Sequence, residues 1–175
     1  MNRPLTGRTA LVTGGTRGLG GAATVRALAA HGAAVAFSYV RSTAAAESLS
    51  REIRADGGAA EGFQADQADP VAAAALTGRV LDRFGALDIL VVNASIDAFG
   101  RVDDADRDEA LFDRFWAVTR AGLMATVRAA SRRISDDGRI ILIGSNMGTR
   151  AGMPGVADNA ASKAAIDGYA RGPGP

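Results

Sequence analysis

The chain has 175 residues, with 20 Lys plus Arg against 19 Asp plus Glu, no cysteine and a single histidine. That length suits one domain with a real core, and a net charge of +1 gives no electrostatic footing for nucleic acid or an anionic membrane. Without cysteine there is no disulfide framework, thiolate ligand or thiol nucleophile. The lone His31 precedes Gly32, where a helix should stop, and leaves no histidine cluster for zinc, so no metal is expected. The sequence shows neither a basic-then-apolar leader nor an apolar run long enough for a bilayer, and a cytoplasmic protein is expected.

Thr9-Ala10-Leu11-Val12 predicts a buried strand. It is followed by Thr13-Gly14-Gly15-Thr16-Arg17-Gly18-Leu19-Gly20 and then by apolar positions from Ala22 to Ala29 at helical spacing. Strand, glycine-rich turn and helix in that order make an anion site. Glycines let the backbone turn sharply and approach a phosphate, while free N–H groups at the helix start face the negative charge. In that context the glycine pattern points to a dinucleotide rather than to a purely structural turn. Ala34–Tyr39 predicts a second strand, Ala44–Ala55 a helix closed by Asp56-Gly57-Gly58, and Ala60–Ala65 a third strand ahead of Asp66. Asp69-Pro70 reads as an N-cap with proline at the first helical position, opening a helix to about Phe84. Asp88–Val92 is apolar without alternation, as a parallel strand should be. A long helical region then spans about Asp106 to Arg133, Arg139–Ile143 is a fifth strand, and a last helix runs from about Val156 to Ala170. The alternation predicts an α/β fold, a doubly wound parallel sheet in the order 3-2-1-4-5, as a single domain over 1–175.

Over nearly its whole length the sequence resembles the short-chain dehydrogenase/reductase family. The matching pieces are the glycine turn, Asp66 after the third strand, Asn93-Ala94 after the fourth, Ser145 after the fifth, and Ser162-Lys163 in the last helix. The resemblance implies a Rossmann-like fold with a nicotinamide cofactor across the carboxyl ends of the strands. Gly14, Gly18 and Gly20 would lie under the pyrophosphate, Asp66 would meet the adenine amino group, and Asn93 would lie beside the adenosine ribose. Thr16, Arg17, Leu19, Gln67, Ala94, Ser95 and Lys163 complete the implied cofactor set. For Asp66 a plain turn role is the competing reading. Cofactor choice follows from charge: an acidic residue closing the second strand would repel a 2′-phosphate. Tyr39 stands there instead, with Arg41, Ser42 and Arg17 near, and arginine suits a phosphate; NADP is therefore expected over NAD.

In the family, a tyrosine donates the proton, a lysine lowers its pKa and a serine holds the substrate oxygen. Ser145 and Lys163 match, but Asn159 stands four residues before the lysine, and an amide has no titratable proton near neutrality. Thr119 stands where the family often has an asparagine, and Val92-Asn93-Ala94-Ser95 departs at its two ends from the preferred Asn-Asn-Ala-Gly. Asp158 lies about 100° around the helix from Asn159, and Tyr169 faces away from the lysine. The candidate catalytic positions are thus Ser145, Lys163, Asn159 and Thr119.

Family members continue past the lysine helix with two more strands and a substrate loop, whereas here Gly172-Pro173-Gly174-Pro175 ends the helix. That would leave the fifth strand as an apolar edge, which invites pairing, so a homo-oligomer (dimer or tetramer) is expected. Ile96–Gly100 and the turn at Pro154 are expected to border a small-molecule pocket. Three readings stay open: an NADP-dependent oxidoreductase acting on a small carbonyl or alcohol, a non-redox enzyme such as a cyclase, dehydratase or isomerase, and a non-catalytic binding protein.

Overall fold

The computed structural model describes residues 3–16 and 20–172. Its centre is a parallel sheet of β1 (Thr9–Val12), β2 (Ala34–Tyr39), β3 (Ala59–Gln64), β4 (Ile89–Val92) and β5 (Arg139–Leu142), in the order β3-β2-β1-β4-β5. Every pairing is parallel; Ala10, for instance, stands opposite Val35 on one side and Ile89 on the other. The helices are α1 (Gly21–Ala30), α2 (Thr43–Ala55), α3 (Pro70–Phe84), α4 (Glu109–Trp116), α5 (Leu123–Ser131) and α6 (Ala157–Ala170).

Side-chain alternation along the strands feeds two cores. Ala10, Val12, Val35 and Phe37 meet α1 and α2 on one face. Leu11, Ala36, Leu90 and Val92 meet α3, α5 and Ile166 of α6 on the other. A sheet covered on both faces explains why its inner strands read as continuous apolar runs. At β5 the cover is one-sided. Ile140 and Leu142 pack on the α3 side, while Ile141 and Ile143 are exposed on the side that α1 and α2 cover elsewhere.

The predicted punctuation is present where local chemistry sets it. The Asp69 carboxylate accepts from the Val71 and Ala72 amides, with Pro70 at the first helical position. His31 caps the end of α1, its Nδ1 lying 2.7 Å from the Ala27 carbonyl.

Two expectations are corrected. β4 begins at Ile89, because Asp88 is a buried clamp that accepts from the Thr9 amide, the Arg8 guanidinium and the Ser135 hydroxyl. The helical region expected over 106–133 is not continuous: Asp108 caps α4, a π-turn occupies Ala117–Gly122, and α5 stops at Ser131. The π-turn sits where Gly122 meets the Gln67 carbonyl so closely that a Cβ would fall 1.8 Å from that oxygen. Such wide turns interrupt helices at crowded, often functional, points.

Candidate active site

The carboxyl ends of β1, β4 and β5 converge on one cleft. At the end of β1, Thr13 is fully buried and its Oγ1 accepts from the Asn93 amide at 3.1 Å and the Ala94 amide at 3.0 Å. The Asn93 side chain returns the contact, donating from Nδ2 to the Thr13 carbonyl at 3.0 Å and the Gly14 carbonyl at 3.2 Å. Gly14 has φ +66°, and a Cβ there would lie 3.0 Å from Ala94 Cα. Its amide donates to Ser38 Oγ on β2. A Cβ on Gly21 would fall 2.3 Å from the Gly14 carbonyl oxygen, so the turn folds back directly onto the start of α1. These contacts pack Thr13, Gly14, Gly21 and Ala94 into a close floor. Thr13, Ser38 and Gly21 are thus structural members of the site that the motif reading did not single out. Thr13 gave a sequence signal only by standing beside Gly14, and Ser38, between Phe37 and Tyr39, gave none.

The remaining candidate cofactor residues divide by placement. Thr16 and Gly20 are half-buried, and Gly20 caps α1 beside Asn93 Oδ1; Arg17, Gly18 and Leu19 lie outside the described residues. Tyr39 leans half-buried on the α1–α2 core, Arg41 is exposed, and Ser42 stands at the N-terminal boundary of α2 without a side-chain hydrogen bond to it. Ser95 is exposed at the rim. Asp66 takes the turn role, accepting from the Ala68 amide, and also pairs with Arg114 of α4 at 3.1 Å. The Gln67 side chain is buried and donates to Thr126 of α5, which leaves its backbone as the part available for a cofactor contact. The Asn93 amide nitrogen is spent on the turn carbonyls.

Of the candidate catalytic residues, Ser145 caps the 3-10 turn Asn146–Gly148, accepts from the Met147 amide at 3.2 Å and remains half-exposed. That turn presses on α6, where a Cβ on Gly148 would lie 2.9 Å from the Lys163 carbonyl carbon. Thr119 is buried in the π-turn and donates to the Phe115 carbonyl at 2.6 Å. Asn159 is 2% exposed and its Nδ2 donates to the carbonyl of the fully buried Ala98. Lys163, the only lysine in the sequence, is half-buried one turn further along α6. Burial pushes its ammonium below the usual lysine range, and the Asp97 carboxylate partly offsets this. Asp158 is committed elsewhere: Trp116 Nε1 donates to it at 3.2 Å and Arg107 lies at 3.7 Å. Tyr169 packs on the α3-side core.

Beside the cleft, the Gly100 amide donates to the Gly155 carbonyl at 3.0 Å and joins the two segments expected to border a pocket. Between them lies an open concavity of about 400 Å³, lined by Val102, Met153, Pro154 and Val156 among others. Val102 and Met153 of its lining are exposed apolar groups, and Phe99, next to Gly100 in the chain, is exposed as well. Among the described residues no cluster of His, Cys, Asp or Glu could hold a metal ion, and no helix is long and apolar enough to cross a membrane.

A glycine turn between a parallel strand and a helix, opening on the carboxyl ends of a 3-2-1-4-5 sheet, defines a dinucleotide-binding α/β protein. The short chain dehydrogenase profile matches residues 8–173, and the chain belongs to that family. It is 42% identical to a versicolorin reductase, stcU, of Emericella nidulans over 170 residues, which are 97% of this chain and 63% of that protein. The chain thus spans less than two thirds of the length of that curated relative. A short-chain dehydrogenase/reductase of Serratia marcescens superposes with a TM-score of 0.91 at 38% identity, covering 97% of this chain and 68% of that one. A short chain dehydrogenase of Burkholderia cenocepacia, solved in complex with NADP, superposes with a TM-score of 0.89 at 42% identity, covering 95% and 66%.

Proposed function

We propose that the chain binds NADP(H) and serves the oxidoreduction of a small carbonyl or alcohol with altered proton delivery. The observation that carries the cofactor reading is the floor made by Thr13, Gly14, Gly21 and Ala94, which leaves no room for side chains beneath a pyrophosphate. These residues fit a dinucleotide, and no carboxylate closes β2, where Tyr39, Arg41 and Ser42 stand. Arg41 makes no ion pair among the described residues and is free to meet a 2′-phosphate. The NADP complex of the Burkholderia relative and the reductase name of the Emericella one support the same reading.

When bound, the nicotinamide supplies or accepts hydride. Ser145, on its 3-10 turn, holds the substrate oxygen by hydrogen bond. Lys163, half-buried on α6 one turn beyond Asn159, would orient what lies against it. Asn159 delivers no proton, because an amide has none to give near neutrality and its N–H is engaged by Ala98. The exposed apolar groups Val102 and Met153 in the concavity lining suit a hydrophobic carbonyl compound.

Fluorescence titration tests the reading. Wild type should bind NADPH at least about tenfold tighter than NADH, as one charge-assisted contact to phosphate provides, and Arg41→Asp should abolish that preference. Binding of neither dinucleotide would overturn the reading. Binding without turnover on a panel of ketones would favour a non-catalytic binding protein instead.

A further inference from the structure

The concavity beside the cleft has a closed frame and a lining of apolar groups left in water. Its two walls, segments 100–103 and 151–157, are tied by the Gly100 amide, which donates to the Gly155 carbonyl at 3.0 Å. Two residues before Gly100, the buried Ala98 carbonyl accepts from Asn159, so the loop after β4 is latched to α6 a second time. Gly100 is also seated on Phe112 of α4, where a Cβ would lie 3.0 Å from the ring. A frame closed in this way is shaped before a ligand arrives, which lowers the ordering cost of binding.

Inside that frame the chemistry is narrow. Val102 is 76% exposed and Met153 64%, so large apolar groups stand in water at a concave place, where a ligand can bury them. Among the described residues the only polar side chains of the lining are Arg101 and Asp103. Each is spent on the other: Arg101 Nε and Nη2 donate to the two Asp103 carboxylate oxygens at 2.8 and 2.7 Å. The pair cancels its own charge, so an ion finds no net attraction, and a polyol finds no unpaired side chain to bond. Held edge-on in this fork, the guanidinium keeps its flat faces for stacking. Arg79, Arg83, Arg107 and Arg120 already lie over aromatic rings of the chain, whereas among the described residues Arg101 lies over none. A ligand ring fits that face, and the Met153 thioether adds a polarizable contact that favours aromatic over saturated carbon.

We propose that the concavity holds the body of the substrate, a neutral aryl ketone of about two or three fused rings, and that Arg101 is the specificity-determining residue whose guanidinium face stacks on those rings. Asp103 is its positioning residue: the two-point pair fixes the plane of the guanidinium, so the stacking face is set in advance. Both side chains are largely exposed, and a ring laid over the pair strengthens the contact by removing water from it. The concavity, about 400 Å³, lies at the small end of the range for ligand pockets, which limits the occupant to a compact molecule. The proposal deepens the reading of the chain as an NADP(H)-dependent carbonyl oxidoreductase and rests on it for the reacting group.

The ketones α-tetralone and α-decalone share one bicyclic skeleton and one carbonyl and differ in the aromatic ring, so the ratio of their affinities isolates stacking. Saturation-transfer NMR titration of the chain, which needs no cofactor, should show α-tetralone bound about fivefold tighter than α-decalone. Arg101→Lys keeps the charge but removes the flat face, and should abolish that preference. Asp103→Ala should lower the preference and Asp103→Glu should restore it, a pattern that a merely structural pair would not produce. Because Arg101 and Asp103 are largely exposed, thermal melting should be nearly unchanged in all three variants. Equal binding of the two ketones by wild type, binding of neither, or a preference that survives Arg101→Lys would overturn the proposal. A wild type that prefers α-tetralone but neither binds NADPH nor reduces the ketone would leave this site standing and sink the oxidoreductase reading instead.

Discussion

Replacing Asn159 by aspartate is the sharpest probe of the latch between α6 and the loop after β4. The two side chains have nearly the same shape, but Asn159 donates to the Ala98 carbonyl from a position 2% exposed, and an ionised carboxylate can only accept. At neutral pH, Asn159→Asp therefore sets two acceptors against each other in a buried space and leaves a charge without a partner. Leaving an uncompensated charge in a buried site typically costs about 3–5 kcal/mol. Asn159→Ala removes only the donor and leaves the Ala98 oxygen unpaired, at about 1–3 kcal/mol. For a chain of this size each kcal/mol moves Tm by about 2–4 °C, so the aspartate variant should melt clearly below the alanine one.

The pH dependence supplies the sign. Burial and the facing carbonyl raise the folded pKa of the introduced carboxyl above its unfolded value of about 3.9. Its destabilisation is full above the folded pKa and fades as the pH falls through it, when the protonated acid can donate to Ala98. Scanning calorimetry of wild type and both variants from pH 8 to pH 4.5 checks this; the aspartate variant should close on wild type as the pH drops. An aspartate variant as stable as wild type at pH 8 would show that the side chain is not held on Ala98.

Thr13→Val removes the acceptor shared by the Asn93 and Ala94 amides and should cost about 1–3 kcal/mol while weakening NADPH binding; Thr13→Ser should retain both properties, as read by melting and fluorescence titration. Burial pushes the Asp88 carboxyl up, but hydrogen bonds from Thr9, Arg8 and Ser135 outweigh this and hold it below the usual range. Its contribution is therefore complete above the unfolded pKa of about 3.9 and is lost as the pH falls through the lower folded value, so Asp88→Asn should flatten the acid limb of the stability curve in urea titrations. Arg114→Ala breaks a largely exposed pair with Asp66 and should change stability by less than about 1 kcal/mol, so a larger loss would mean that α4 depends on that contact. Light scattering should find a mass above that of one chain, with β5 exposing Ile141 and Ile143; a concentration-independent monomer would remove the expectation of self-association.

How much could be read in advance divides along the range of the interactions. The five strands, their order, the cap at Asp69-Pro70 and the helix stop at Gly32 were legible because they follow from apolar runs, breakers and hydrogen bonds a few residues long. The glycine turn and the departure at Asn159 were visible for the same reason, since a motif is a local pattern. The π-turn at Ala117–Gly122 was not, because its cause is the Gln67 carbonyl about 55 residues away, pressed on Gly122. Nor did any pattern show that Thr13 holds Asn93 and Ala94, that Gln67 turns inward to Thr126, or that Asp158 is taken by Trp116 and Arg107. Asn159 draws the division most plainly. Its identity showed that a phenol is missing, but only the packing of α6 against the loop after β4 decided that the amide became a latch on Ala98. Sequence order determines which groups exist and which local turns they favour; the approach of segments dozens of residues apart determines which of those groups meet, and whether a polar side chain is spent on the scaffold or left free for chemistry.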